Sequence, residues 1–110
     1  MFIAMNRFRI ARGNEEEFEA LWRGRESYLH EIDGFLEFAL LKGPEHAEHT
    51  LYVSHSVWAS QAHFTAWTKS EAFRKAHANA GRGKPLSLGP PDFEGFEAVL
   101  VEDNRAKAAR

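Results

Sequence analysis

The sequence predicts an α+β domain of the ferredoxin-like kind, β-α-β-β-α-β, assembled as a dimeric α+β barrel. Three observations carry this. Four stretches alternate apolar and polar residues or are rich in β-branched and aromatic ones: Phe2 to Ile10, Phe35 to Leu41, Thr50 to Trp58 and Phe93 to Val101. Helical patterns with their own start signals fall between the first and second of these and between the third and fourth. At 110 residues the chain forms one domain, with a core of real size but much to gain from association. The domain is expected over 1–101, with 102–110 a charged, Ala-rich, flexible tail.

In the first strand Phe2, Ala4, Asn6, Phe8 and Ile10 share one face, and Ile3, Met5, Arg7 and Arg9 the other. Asn6 thus interrupts an apolar row, where a buried amide needs partners from the protein or from a ligand. Arg12-Gly13 turns the chain, and Asn14 with Glu17 reads as a helix N-cap and its partner three residues on. The helix is expected to run to about Ile32, with Phe18, Leu21, Trp22, Arg25, Leu29 and Ile32 along one stripe, and to end at Asp33-Gly34. Gly43-Pro44 is expected to open a turn holding His46 and His49. Ser60 caps a short helix with Phe64 and Trp67, and Ser70 caps another with Phe73, Ala76, His77 and Ala80, stopped by Gly81. Residues 81–92 form a Gly/Pro-rich loop before the last strand. With the helices on one side of the sheet, the face carrying Ile3 and Met5 is left open, and a second copy packed sheet to sheet would cover it.

Composition removes several classes of function. There are 14 Lys and Arg against 16 Asp and Glu, a net charge of −2, so no nucleic-acid partner is indicated. The absence of cysteine excludes disulfides, thiolate ligation of haem, iron–sulfur clusters and thiol catalysis. No apolar run in MFIAMNRFRI suits a signal peptide or membrane span, so a soluble cytoplasmic protein without membrane contact is expected. No H-E-x-x-H, structural-zinc spacing, G-x-G-x-x-G or Walker loop occurs, and GRGKP follows a helix instead of opening one. Nine Phe, three Trp and two Tyr suit either a dense core or a wall for a flat ligand.

Three residues stand out. His77 reads as a partly buried side chain satisfied by a backbone carbonyl or as an axial iron ligand, with small Ala76 and Ala80 leaving room for a macrocycle edge. Trp67 reads as core or as a wall pressing on a bound ring. Asn6 conflicts with strand propensity and burial cost, as functional residues often do.

The stretches FIAMNRFRI, DGFLEFALLKG, LYVSHSVWASQAHFTAW and SEAFRKAHAN resemble the antibiotic-biosynthesis-monooxygenase superfamily, and within it the IsdG-type haem-degrading monooxygenases. The likeness extends to about Val101. The run from Trp58 to Trp67 matches a signature shared with members that never touch haem; the discriminating part is Asn6, Trp67 and His77. The resemblance implies that haem is both cofactor and substrate, opened to a bilin with release of iron by O2 and an external electron donor. His77 would be the proximal iron ligand, Asn6 would donate its amide N–H toward the oxygen bound opposite, and Trp67 would crowd the ring out of plane. Trp22 would line the pocket, and Arg25 would meet a propionate, with Arg82 and Lys84 as alternatives on a loop that orders over the ligand. Electrons would come from a separate reductase or small-molecule reductant. Three readings compete, the first two being a cofactor-independent monooxygenase acting on a quinol or polyketide and a haem-binding chaperone or sensor. A plain dimeric interaction domain is the third.

Overall fold

The computed structural model describes residues 1–25, 28–77 and 85–103. The elements run β1 (Phe2–Ala11), α1 (Glu15–Gly24), β2 (Phe35–Glu45), β3 (His49–Trp58), α2 (Gln61–Thr68), α3 (Glu71–Ala76) and β4 (Asp92–Glu97). The strands form one antiparallel sheet in the order β2-β3-β1-β4, the ferredoxin-like arrangement. No helix among the described residues is long and apolar enough to cross a membrane.

Register fixes which side chains share a face. Phe2, Ala4, Asn6, Phe8 and Ile10 of β1 stand opposite Trp58, Ser56, Ser54, Tyr52 and Thr50 of β3. The helices cover this face. One core cluster joins Phe2, Ala4, Leu29 and Trp58, with Phe64 and Trp67 packed against it; the other joins Ile10, Phe18 and Tyr52, with Phe8 and Trp22. On the opposite face Val53 and Val57 at the centre are nearly buried by their neighbours, while Leu41 and Phe96 toward the two edges remain exposed.

Several boundaries depart from expectation. The first helix ends at Gly24, and Leu29 comes from a separate 3₁₀ turn (Leu29–Glu31) preceded by Tyr28 in the left-handed region at φ 61°. The apolar stripe ran on through this break because Leu29 still points to the core. At its start Asn14 occupies the N-cap position without capping: its amide Nδ2 donates to the Leu86 carbonyl at 3.4 Å. Gly43-Pro44 lies within β2, not in a turn. β2 is an edge strand and carries a register shift between Lys42 and Glu45, where a residue without an N–H is tolerated. β4 stops at Glu97, which faces Phe2 in the last pair of the ladder, and the Ala98 N–H donates to the Met1 carbonyl at 2.9 Å.

The two serine caps form as expected. Ser60 Oγ accepts the His63 N–H at 3.2 Å, and Ser70 Oγ accepts the Phe73 N–H at 3.1 Å. α3 ends at Ala76, so His77 is its C-cap residue and not a member of a longer helix. Ala80, Gly81, Arg82 and Lys84 lie outside the described residues, as do 104–110 of the expected tail; Glu102 and Asp103 carry no regular structure.

Candidate functional site

Between the helices and the covered face of the sheet lies a cavity of about 390 Å³. Asn6, Trp22, Arg25, Trp67 and His77 all line it. The sequence separates these residues by up to seventy-one positions, and the fold brings them to one surface. The cavity falls in the ordinary range for small-molecule sites. Its lining is rich in aromatic residues, with Phe38, Phe64, Phe73 and Phe93 added to the two tryptophans.

His77 is positioned by the end of α3. Its backbone N–H donates to the Phe73 carbonyl at 3.1 Å, and its ring Nδ1 stands 2.8 Å from the same oxygen. A carbonyl oxygen only accepts, so Nδ1 carries the proton. In the neutral ring Nε2 is then the bare nitrogen, the state a metal-binding imidazole requires. The Phe73 ring stacks on the imidazole with centroids 4.1 Å apart, and Trp67 meets it edge-on at 6.1 Å.

Trp67 sits at the end of α2 against Trp58 (centroids 5.2 Å apart) and Phe73 (4.8 Å). Its indole Nε1 is buried and without a hydrogen-bond partner among the described residues. Most buried donors are satisfied, so an orphan here marks a place where packing, not polarity, sets the ring. Asn6 lies mid-strand between Ser54 of β3 and Phe93 of β4. Its amide has no protein partner among the described residues, which leaves its donors available to the cavity.

Trp22 stacks on Phe38 at 5.6 Å with an interplanar angle of 17°, forming a flat wall. The Arg25 guanidinium lies over the other part of that wall, 4.4 Å from the Trp22 ring centre, and donates to the Ala76 carbonyl at 3.0 Å. Burial disfavours its charged form, yet a guanidinium stays protonated near neutrality.

The remaining histidines are elsewhere. His46 and His49 stack on each other beside the β2–β3 turn, and His63 contacts Ser60 and Asp33. No group of three or more His, Cys, Asp or Glu suited to a metal ion exists among the described residues. Sequence reasoning did not single out Phe38 or Phe93, or the Phe73 carbonyl. Phe38 and Phe93 stand on the helix-covered face in register with Ser56 and Asn6, and the Phe73 carbonyl follows from the i, i+4 spacing to His77.

Residues 1–79 match the family model for the antibiotic biosynthesis monooxygenases. A staphylobilin-producing heme oxygenase of Staphylococcus haemolyticus is 30% identical over 92 residues, covering 83% of this chain and 85% of its own. Among solved structures, the heme-degrader MhuD of Mycobacterium tuberculosis, with two hemes bound in its active site, superposes with a TM-score of 0.70. It is 29% identical, and the match covers 94% of this chain and 100% of MhuD. SnoaB of Streptomyces nogalater, a cofactor-independent oxygenase, matches with a TM-score of 0.64 and 26% identity, over 91% of this chain and 94% of its own.

Proposed function

Because the chain belongs to the antibiotic biosynthesis monooxygenase family, we propose that it is a haem-degrading monooxygenase whose cavity holds haem as its substrate. The observation that carries this reading is the His77 imidazole, whose Nδ1 proton is committed to the Phe73 carbonyl while the ring lines an aromatic cavity. A histidine needed only for packing gains nothing from a place in a cavity wall. The likenesses to heme-degrading relatives support the same substrate.

The residues present fit an iron porphyrin. His77 supplies one neutral nitrogen donor, and the aromatic lining suits a planar apolar ring. Bound haem would supply the iron for dioxygen activation and the ring that is opened to a bilin. The chain's own residues would bind and orient. His77 Nε2 would hold the iron, and Asn6 would offer an amide N–H to the oxygen reactant, where charge develops. Trp67, packed against Trp58 and Phe73, would set a bulky wall against the bound ring. Trp22 and Phe38 would lie along the macrocycle, and Arg25 keeps donors beyond the one given to Ala76 for a propionate. Electrons would come from a separate reductase or a small-molecule reductant. A second copy would cover the sheet face where Leu41 and Phe96 are exposed.

A second reading, a cofactor-independent oxygenase, is favoured by the likeness to SnoaB. One experiment separates these. Ferric haem is added to the apo-protein, followed by ascorbate in air with catalase present. A saturable Soret band that bleaches as bilin absorption grows is expected. A Soret band that survives the reductant would mean a haem carrier or sensor, and no Soret shift would favour the cofactor-independent enzyme.

A further inference from the structure

We infer that Arg25 is a positioning residue for His77, acting through the Ala76 carbonyl and not only through a charged group on a ligand. The inference rests on the reading of His77 as the ligand-bearing residue, but the contact itself lies wholly within the chain.

α3 is short, from Glu71 to Ala76, and His77 is its C-cap. The last carbonyls of a helix have no intrahelical partner and must be satisfied from outside. The Phe73 carbonyl is taken twice by His77, through its backbone N–H and its Nδ1. The Ala76 carbonyl, on the residue immediately before His77, receives the Arg25 guanidinium at 3.0 Å. Arg25 follows directly on the end of α1 at Gly24, and its guanidinium is steadied by the Trp22 ring at 4.4 Å. The end of α1 is therefore fastened to the end of α3 across fifty-one positions of sequence, at the residue next to His77.

Two consequences follow. The cationic donor lies at a helix C-terminus, where positive charge is favoured, so the contact gains from both the hydrogen bond and the helix dipole. The geometry of His77 also depends on a residue whose own place is set by the aromatic wall. Removing the donor takes away the partner that the Ala76 carbonyl has among the described residues, and fraying of so short a helix reaches its C-cap first.

The test uses Arg25→Met, which keeps an apolar stem against Trp22 but has no donor, and Arg25→Lys, which restores one. In the apo-protein, NMR of the His77 ring reads the effect without any ligand. The tautomer signature of Nδ1-protonated His77 is expected in the wild type, to broaden or shift in Arg25→Met, and to be largely restored in Arg25→Lys. His77 signals unchanged in Arg25→Met would overturn the inference. In parallel, ferric haem and its dipropionate dimethyl ester are titrated into wild type and Arg25→Met. A loss of roughly tenfold or more in affinity is expected for both, as for a lost hydrogen bond to a charged donor. A loss confined to free haem would make Arg25 a propionate partner alone and overturn the positioning role. If neither porphyrin binds the wild type while the NMR effect is present, the proposed function fails and the clamp stands.

Discussion

The His77 imidazole donates its Nδ1 proton to the carbonyl oxygen of Phe73, 2.8 Å away and one turn earlier in α3. This single bond decides which nitrogen is left to do chemistry. It also converts the most ordinary use of a half-buried histidine, satisfaction by a backbone carbonyl, into the support such a ring needs as a metal ligand. The two uses suggested by the sequence are therefore compatible, one on each nitrogen.

Asn6 is the residue expected to separate binding from chemistry. Its amide has no protein partner among the described residues, so Asn6→Ala should leave haem affinity within about threefold. Turnover should fall by about 10²–10³, the usual consequence of losing a donor aimed at developing negative charge. Single-turnover absorption traces measure both. Wild-type turnover in this variant would remove Asn6 from the reaction.

Trp67 and Trp58 should respond differently to the same substitution. Trp58 is fully buried, and its Nε1 donates to Ser56 Oγ at 3.0 Å. The Trp67 Nε1 is an orphan. Trp67→Phe removes an unsatisfied donor, offsetting the lost packing, so stability should change by less than about 1 kcal/mol. Trp58→Phe loses a bonded donor as well as volume and should cost about 2–3 kcal/mol. Urea unfolding compares them, while haem turnover should drop in Trp67→Phe.

Acid stability should depend on Glu19. The Tyr52 hydroxyl donates to Glu19 Oε2, and this bond holds the carboxyl below the usual carboxylate range, with Lys42 and Arg23 assisting. A carboxyl whose pKa is depressed on folding contributes stability that is fully present above its unfolded value, near 4.5, and lost as pH falls through the folded one. Tyr52→Phe should therefore flatten the fall in stability below that value. Urea midpoints between pH 7 and pH 3 test it; identical acid limbs would show that this bond does not matter.

Gly34 should not accept a side chain. Its φ is +83°, and a Cβ there would stand 2.2 Å from the His63 ring carbon Cγ. Gly34→Ala should cost about 2 kcal/mol or more, through backbone strain and collision together. A thermal midpoint equal to wild type would contradict this.

Much of this fold is legible in the sequence, and the failures share a cause. β1 was plain because Phe2, Ala4, Phe8 and Ile10 alternate cleanly, and Ser60 and Ser70 announce their helices by local chemistry alone. The errors arose where a neighbour decides. Pro44 signals a turn locally, but the edge position of β2 tolerates it. β4 ends early because its ladder with β1 stops at the Phe2–Glu97 pair, leaving only the bond from Ala98 to the Met1 carbonyl. Asn14 looked like a cap until Leu86 competed for its amide. The site followed the same division. Asn6, Trp67 and His77 were readable as types at positions, Trp22 and Arg25 came with the family resemblance, and all five line one cavity. That Arg25 holds the Ala76 carbonyl depends on two helix ends meeting in space, which no spacing in the sequence encodes.

The claim that the His77 ring is the iron ligand is tested most directly by His77→Gly, assayed for haem turnover with ascorbate in air, with and without added imidazole. The variant should be inactive alone, and imidazole diffusing into the vacated space should restore the Soret spectrum of a histidine-ligated haem and part of the turnover. Wild-type turnover in His77→Gly without imidazole would contradict the assignment.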